Sequence, residues 1–305
     1  MSKKVEQVLR DARSLGLSLE VEILLQDYLG VDGAGLFLKR GEELDDEICK
    51  KLKADISELE RGYPLAYIRS KADFFGLEFL VNENVLIPRR ETEVLVENAI
   101  SCIQKLNSDL EAVKMVELGV GSGCISISVA KNFVHVNKND TDFSHKLAIL
   151  GVEKSREALE IARENVKKYG LENIIELREG DLLTGISSGA DEQFDILVAN
   201  LPYVDEESEV GLGVREFEPY EALFAEERGL ALYREVLEQI CAKKSSVDGG
   251  FGFKFILFEI GFDQAKRMRE LCEEFDFTEG QGWNVEIIKD LEGRDRVVRL
   301  DKKEL

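Results

Sequence analysis

Phe194-Asp195-Ile196-Leu197-Val198-Ala199-Asn200-Leu201-Pro202-Tyr203 runs from an apolar stretch straight into a short turn. The apolar part, Phe194–Ala199, reads as a buried strand. An amide side chain, a proline and an aromatic ring then stand at its carboxyl end. In open α/β sheets that end of the strands is where ligands bind. A second stretch of the same design lies upstream. There Val113–Leu118 is the apolar strand and Gly119-Val120-Gly121-Ser122-Gly123 is the turn that follows. One turn can bring bare backbone up to a cofactor. The other can hold a planar NH2-bearing group. Together they point to group transfer onto nitrogen.

From residue 113 onward strands and helices alternate: Val113–Leu118, Cys124–Lys131, Leu147–Val152, Ser155–Tyr169, Ile174–Arg178, Phe194–Ala199, Glu227–Ala242, Phe253–Ile260 and Asp263–Phe275. This pattern predicts an α/β fold with a doubly wound, mostly parallel sheet. The alternation breaks at the end, where Asn284–Ile288 and Asp295–Leu300 are two strands with only a turn between them. A terminal antiparallel hairpin fits a methyltransferase-type sheet better than a dehydrogenase-type one. Residues 1–72 carry few strand signals and read as a small helical domain, broken at Gly30 to Gly35 and resuming over Leu44 to Glu60. A β-hairpin linker is expected over 73–87, where Phe74, Phe75, Leu77, Phe79 and Val81 give a strand-like pattern. The sheet domain then takes 88–305, opening with a helix over Thr92–Leu106. The polar stretch 132–146 (NFVHVNKNDTDFSHK) separates the first helix of the sheet from its second strand and reads as a surface insertion.

The chain has 305 residues, enough for one large α/β domain and a small one. Its 44% hydrophobic and 33% charged residues fit a packed, soluble core. No apolar run reaches the length of a membrane span, and the N-terminus lacks a signal-peptide core, so a cytoplasmic location is expected. The five cysteines (Cys49, Cys102, Cys124, Cys241, Cys272) form no C-x-x-C pair and read as free thiols, not metal ligands. Both histidines, His135 and His145, fall in the polar insertion and read as solvated, so no metal is expected. The net charge of −21 opposes binding to a phosphate backbone and matches a basic protein partner better than nucleic acid.

The glycine spacing is G-x-G-x-G, and the sixth position of the dinucleotide fingerprint G-x-G-x-x-G is filled by Cys124. A pyrophosphate-bearing dinucleotide is therefore disfavoured. Glu153 follows the next strand, Leu147–Val152, where a carboxylate can accept hydrogen bonds from both ribose hydroxyls. It lies farther along than the ~20 residues usual for a dinucleotide unit, and the 132–146 insertion accounts for the excess. The alternative is a carboxylate that caps the helix after it. Asp181, in Gly180-Asp181-Leu182 after the third strand, stands where an adenine would lie, or is a turn Asp. Three such features at successive strand ends point to a nucleoside-bearing cofactor.

At the other turn, Asn200 offers a carbonyl acceptor and Leu201 a backbone carbonyl. Pro202 stiffens the turn and Tyr203 presents a flat face. Two acceptors can take both hydrogens of a substrate NH2. An amide nitrogen is a poor nucleophile because its lone pair is delocalised, a resonance reflected in the peptide rotation barrier of about 18–20 kcal/mol. Holding both N–H groups orients the lone pair and favours the charge that develops on attack.

These residues resemble the release-factor glutamine methyltransferases, the HemK/PrmC family. The similarity covers nearly the whole chain. It runs through Pro64-Leu65-Ala66-Tyr67-Ile68, Asp73–Phe79 (DFFGLEF), Leu86–Glu93 (LIPRRETE), residues 116–123 (VELGVGSG), 216–223 (EFEPYEAL), 258–261 (FEIG) and 293–298 (GRDRVV). The resemblance implies a helical domain, a hairpin linker and a seven-stranded methyltransferase sheet. It implies methyl transfer from S-adenosylmethionine to the glutamine side-chain amide in the Gly-Gly-Gln motif of class 1 peptide chain release factors. It also implies that the helical domain recognises this substrate, that Gly119, Val120, Gly121, Ser122, Gly123, Glu153 and Leu182 meet the cofactor, and that Asn200, Leu201, Pro202 and Tyr203 hold the glutamine. Asn200 is expected to touch both. Three positions depart from the family: Leu201 replaces the first proline of Asn-Pro-Pro-Tyr, Glu153 stands where Asp is common, and Arg90 stands for a proline. Asn-Leu-Pro-Tyr also resembles ribosomal-RNA adenine methyltransferases, so the alternative is an adenine amino-group methyltransferase acting on RNA or DNA.

Overall fold

The computed structural model describes residues 3–106, 112–136, 146–186, 193–244 and 251–303. The chain divides into two compact units: Met1–Lys71 with Val210–Phe217, and Ala72–Glu209 with Glu218–Leu305.

The first unit is helical. In the helix Val5–Leu15 the buried positions Val5, Val8 and Ala12 fall on one stripe, and Gly16 ends it in the left-handed conformation. That stripe joins Val21, Leu24 and Leu25 of Ser18–Leu29 and Leu52 and Leu59 of Asp46–Glu60 in a single apolar core. Asp45 caps the last of these helices, its carboxylate accepting from the Ile48 N–H at 2.7 Å. Residues 210–217 are joined to this unit through close backbone approach, since a Cβ at Gly213 would sit 2.3 Å from the Gly62 carbonyl oxygen. The Phe217 ring meets Tyr63 edge-on at 5.1 Å. Nothing in the sequence pattern marks this short return to the helical unit.

The second unit opens with a hairpin of β1 (Lys71–Phe74) and β2 (Leu77–Leu80). Phe75 and Gly76 between them both have positive φ (50° and 72°), as a two-residue type I′ turn requires. The large sheet contains β3 (Val113–Leu118), β4 (Leu147–Glu153), β5 (Ile175–Glu179), β6 (Ile196–Ala199), β7 (Phe255–Glu259), β8 (Trp283–Lys289) and β9 (Asp295–Lys302). The order across its seven strands is β5-β4-β3-β6-β7-β9-β8. β5 through β7 are parallel, whereas β9 runs antiparallel to both β7 and β8. The expected doubly wound sheet with its terminal hairpin is thus the observed one.

The central strands are buried on both faces over most of their length, which is why they read as largely apolar runs, broken in β3 by Lys114 and Glu117. Alternation still operates within them. Val116, Leu118, Leu197 and Ala199 enter one core, while Met115, Ile196 and Val198 enter the other. The chain builds outward in one direction from β3 to β5, then crosses to β6 on the opposite side. The β3/β6 boundary is therefore the topological switch point, where ligands bind in such sheets.

Some element ends differ from expectation. The helix anticipated from Glu227 starts at Ala231 instead, because Glu227 and Arg228 have left-handed backbones (φ 53° and 57°). The strand anticipated from Phe194 starts at Ile196, since Asp195 uses its groups at the strand entrance, its carboxylate accepting from the Lys114 N–H at 2.9 Å. The helix Cys124–Val136 extends through the first residues of the expected 132–146 insertion, His135 included. Its remainder, with His145, lies almost entirely outside the described residues.

Candidate active site

Strand register places four candidate positions in one row along the carboxyl edge of the sheet. The last aligned pairs are Leu118 with Val152, Leu118 with Ala199, and Ala199 with Phe258. One residue further on come Glu153, Gly119, Asn200 and Glu259, from β4, the turn after β3, the turn after β6, and β7. Sequence positions far apart thus become neighbours through register alone.

The Gly-rich turn needs its glycines. Gly119, Gly121 and Gly123 all have positive φ (72°, 55° and 81°). A Cβ at Gly119 would stand 3.2 Å from Leu201 Cδ2 and 3.7 Å from the Asn200 carbonyl oxygen, so the two turns touch. A Cβ at Gly123 would press on Ile127 and Ala162. A Cβ at Gly121, in contrast, would meet no protein atom within 4 Å, so the outer face of the turn is bare backbone. Val120 is buried and packs over Gly151, which has no room for a side chain.

Glu153 braces this turn. Its Oε2 accepts from the Gly121 N–H and its Oε1 from the Ser155 N–H, both at 2.9 Å. The helix Arg156–Tyr169 is capped by Ser155, whose hydroxyl accepts from the Ala158 N–H. Glu153 is therefore not the cap, and each of its oxygens keeps lone-pair capacity for a further donor. Its own carbonyl accepts from the Gly180 N–H at 2.9 Å, which brings Gly180-Asp181-Leu182 alongside. Leu182 has a positive φ of 51° and a buried side chain, so only its backbone is available to a ligand. Asp181 is half exposed and pairs with Lys154 at 2.9 Å.

Asn165 holds the turn from behind. It is fully buried, its Oδ1 accepting from the Leu80 N–H while its Nδ2 donates to the carbonyls of Leu80 and Ser122. One side chain thus joins the hairpin to the Gly-rich turn. Asn165→Ala removes the partner of three backbone groups, two on half-buried Leu80 and one on buried Ser122, and should cost about 1–3 kcal/mol of stability. Urea unfolding checks this, and a loss below about 1 kcal/mol would contradict the bracing role.

The second turn stands on a buried polar floor. Asn200 Nδ2 donates to Thr92 Oγ1 at 3.3 Å. The Tyr203 hydroxyl donates to Glu259 Oε1 at 3.3 Å. Glu259 is fully buried and its Oε2 makes no hydrogen bond among the described residues. Burial pushes its carboxyl up to about 7, against the opposing influence of the Thr92 and Tyr203 hydroxyls and the Arg296 charge. Burial likewise raises the Tyr203 phenol, with the Glu259 charge adding to the effect. The hydroxyl of Tyr233, also buried, lies against the carbonyl oxygens of Leu201 (3.2 Å) and Glu259. Gln264 Nε2 donates to the carbonyls of Tyr203 (2.8 Å) and Arg228 (2.9 Å), and its Oε1 accepts from the Gly261 N–H (2.8 Å). Nearby, the Glu218 carboxylate accepts from the Ile87 N–H at 3.2 Å and from the Arg89 guanidinium.

Thr92, Glu259, Tyr233 and Gln264 were not legible as site residues. Glu259 alone carried a signal, as the one charged residue of an otherwise apolar strand (FILFE). Glu117 in β3 (VKMVEL) is a second carboxyl within a strand. It is fully buried, its Oε2 accepts from the backbone N–H of Ser126 at 3.0 Å and from its hydroxyl, and burial pushes it up to about 8. Among the described residues no group of three His, Cys, Asp or Glu side chains could hold a metal, and no helix is long and apolar enough to cross a membrane.

A sheet of this order, with a Gly-rich turn and an Asn-Leu-Pro-Tyr turn meeting at its switch point, is that of a class I methyltransferase. The hMettl16 catalytic domain, solved with the MAT2A 3′UTR hairpin 1, shares the fold with a TM-score of 0.51 at 17% identity, over 80% of each chain. The family described as PrmC N-terminal domain matches residues 2–69, and the RMKL-like methyltransferase domain matches residues 101–211. A release factor glutamine methyltransferase of Bacillus cereus is 34% identical over 91% of this chain and 90% of its own length. One of Streptococcus pneumoniae is 38% identical over 85% of this chain and 83% of its own. The chain belongs to the release factor glutamine methyltransferase family.

Proposed function

We propose that this methyltransferase transfers a methyl group from S-adenosylmethionine to the side-chain amide nitrogen of the glutamine in the Gly-Gly-Gln motif of class 1 peptide chain release factors. The observation that carries this reading is the row of Glu153, Gly119, Asn200 and Glu259 at the switch point, which sets a nucleoside-binding edge against an amide-binding turn.

The residues fit the donor. The bare outer face at Gly121 leaves room for a ligand against backbone, and the braced Glu153 carboxylate retains acceptor capacity for ribose hydroxyls. Asp181 and the Leu182 backbone would flank the adenine. When bound, S-adenosylmethionine supplies an electrophilic methyl on a sulfonium. The protein's task is to orient the nitrogen. Asn200 Oδ1 accepts one N–H of the glutamine amide, and a lone pair of the Leu201 carbonyl accepts the other. Pro202 keeps the turn rigid and Tyr203 provides the face against which the planar amide lies. Tyr203 keeps its proton at neutral pH, so it serves as a surface and donor, not as a base. The helical unit would recognise the release factor, an assignment supported by the match to the PrmC N-terminal domain. The net charge of −21 supports a protein partner over nucleic acid, and the reading places the enzyme in the cytoplasm.

The test is transfer of labelled methyl to purified release factor and, in parallel, to RNA, with mass mapping of the product. Label on the glutamine of the Gly-Gly-Gln motif supports the proposal, whereas label on RNA adenine would replace it.

Glu153→Ala should weaken donor binding on two counts. It removes the ribose acceptor and frees the N–H groups of Gly121 and Ser155. Hydrogen bonds to a charged group typically contribute about 1.5–3 kcal/mol, so a loss of roughly tenfold to a hundredfold in donor affinity is expected. Calorimetry with unchanged affinity would sink the ribose assignment.

A further inference from the structure

The peptide unit between Leu201 and Pro202 offers little to anchor it. An ordinary peptide is held through both its N–H and its carbonyl. Here the nitrogen belongs to proline and carries no hydrogen. The carbonyl is the one polar group through which the plane of this unit can be fixed. Among the described residues its hydrogen-bond partner is a single group, the Tyr233 hydroxyl, at 3.2 Å.

Tyr233 is built to hold a position. It is fully buried in the helix Ala231–Lys244, and its ring meets Phe258 of β7 edge-on at 5.2 Å. The same hydroxyl lies against the carbonyl of Glu259 at the end of β7. A hydroxyl has one proton, so the two carbonyls share it in a three-centre bond. The last aligned pair of β6 and β7 is Ala199 with Phe258. Leu201 and Glu259 lie just beyond it, where the ladder has ended. The Tyr233 hydroxyl thus continues the attachment of the turn to the sheet past the point where backbone pairing stops.

We propose that Tyr233 is a positioning residue that aims the Leu201 carbonyl at the substrate amide. A peptide is planar, and both lone pairs of its oxygen lie near that plane. A donor on one lone pair therefore fixes the direction of the other, which is left to accept a substrate N–H. The buried Leu201 side chain reaches Gly119 and sets where the residue sits. Tyr233 sets which way its carbonyl faces. Tyr233 does not need to touch the substrate. The inference rests on the proposed glutamine-methylating reading and adds the group that orients one of its two acceptors.

The experiment uses Tyr233→Phe, which removes the hydroxyl and keeps the ring against Phe258. The substitution is made in the wild-type enzyme and in Asn200→Ala. The readout is single-turnover transfer of labelled methyl to release factor. Calorimetry with S-adenosylmethionine supplies the donor affinity and the competent fraction by which each rate is normalised. A displacement of about 1 Å in a positioning group can cost 10²-fold in rate, and loss of one hydroxyl allows a smaller shift. Tyr233→Phe should therefore slow transfer about tenfold, with affinities for donor and release factor within about twofold of wild type. In Asn200→Ala the same change should slow transfer less than about threefold, because an amide that has lost one acceptor is no longer held in a single orientation. A purely structural hydroxyl would cost the same in both backgrounds. A normalised rate for Tyr233→Phe within about threefold of wild type would overturn the proposal, as would an equal loss in the two backgrounds or a loss matched by weaker donor binding. Failure here leaves the methyl-transfer reading standing, because that reading is tested by the identity of the product labelled by the wild-type enzyme.

Discussion

Asn200→Asp should lose methyl transfer almost as completely as Asn200→Ala. Alanine removes one of two acceptors for the substrate amide and should lower the single-turnover rate by roughly 10²–10³. Aspartate keeps an acceptor of the same size, so a residue that only accepts would tolerate it. The structure gives Asn200 a second task, because its Nδ2 donates to Thr92 Oγ1. A carboxylate cannot donate that bond. It would also put a second negative charge close to a fully buried carboxyl. Both variants should fold and bind S-adenosylmethionine, since the Gly-rich turn and Glu153 are untouched. Calorimetry with the donor and single-turnover transfer of labelled methyl measure the two properties separately. An aspartate variant with more than about a tenth of the wild-type rate would show that the donor side is dispensable. Wild-type rates in the alanine variant would remove the turn from the chemistry.

The sheet was legible because its parallel strands are buried on both faces. Val113–Leu118, Leu147–Glu153 and Ile196–Ala199 are mostly apolar, and a glycine, a glutamate and an asparagine (Gly119, Glu153 and Asn200) mark where the edge begins. The terminal hairpin was legible from two strands too close together for a crossover helix. The two turns at the sheet edge could be read as special because unusual backbone needs show in residue type, as with the glycines at positive φ. Their support could not. Thr92 looks like an ordinary residue at the start of a helix, and its bond with Asn200 joins positions 108 apart in the numbering. The start of the helix Ala231–Lys244 was misread for a related reason. Glu227 and Arg228 have good helical propensity, yet tertiary contacts hold them left-handed. Likewise, the return of residues 210–217 to the helical unit depends on Gly213 meeting Gly62, a contact with no local signature.

That left-handed segment carries the second large effect. Glu227, Arg228 and Gly229 have φ of 53°, 57° and 82° in succession. Left-handed backbone costs a non-glycine residue roughly 1–2 kcal/mol, so surrounding contacts must hold the segment. Gln264 does so by donating to the Arg228 carbonyl and the Tyr203 carbonyl together. Gly229 then lies directly on the Asn-Leu-Pro-Tyr turn. A Cβ there would stand 1.9 Å from the Tyr203 carbonyl oxygen and 2.6 Å from Gln264 Nε2. The nearest obstacle is backbone, so no rotamer change relieves it; the turn itself must move. A shift of about 1 Å in a positioning group can cost 10²-fold in rate. Gly229→Ala should therefore lower kcat by about that factor and reduce stability by a few kcal/mol. Gly121→Ala provides the contrast. Its Cβ would meet no protein atom, so the fold should bear only the modest left-handed strain. The added methyl would instead occupy the bare face proposed for the donor. Gly121→Ala should raise the donor KM with kcat less affected, while Gly229→Ala should lower kcat with donor affinity kept. Thermal melts and steady-state kinetics on the two variants separate these outcomes. A Gly229→Ala enzyme that melts lower yet turns over at the wild-type rate would show that the 226–229 segment does not set the position of Tyr203.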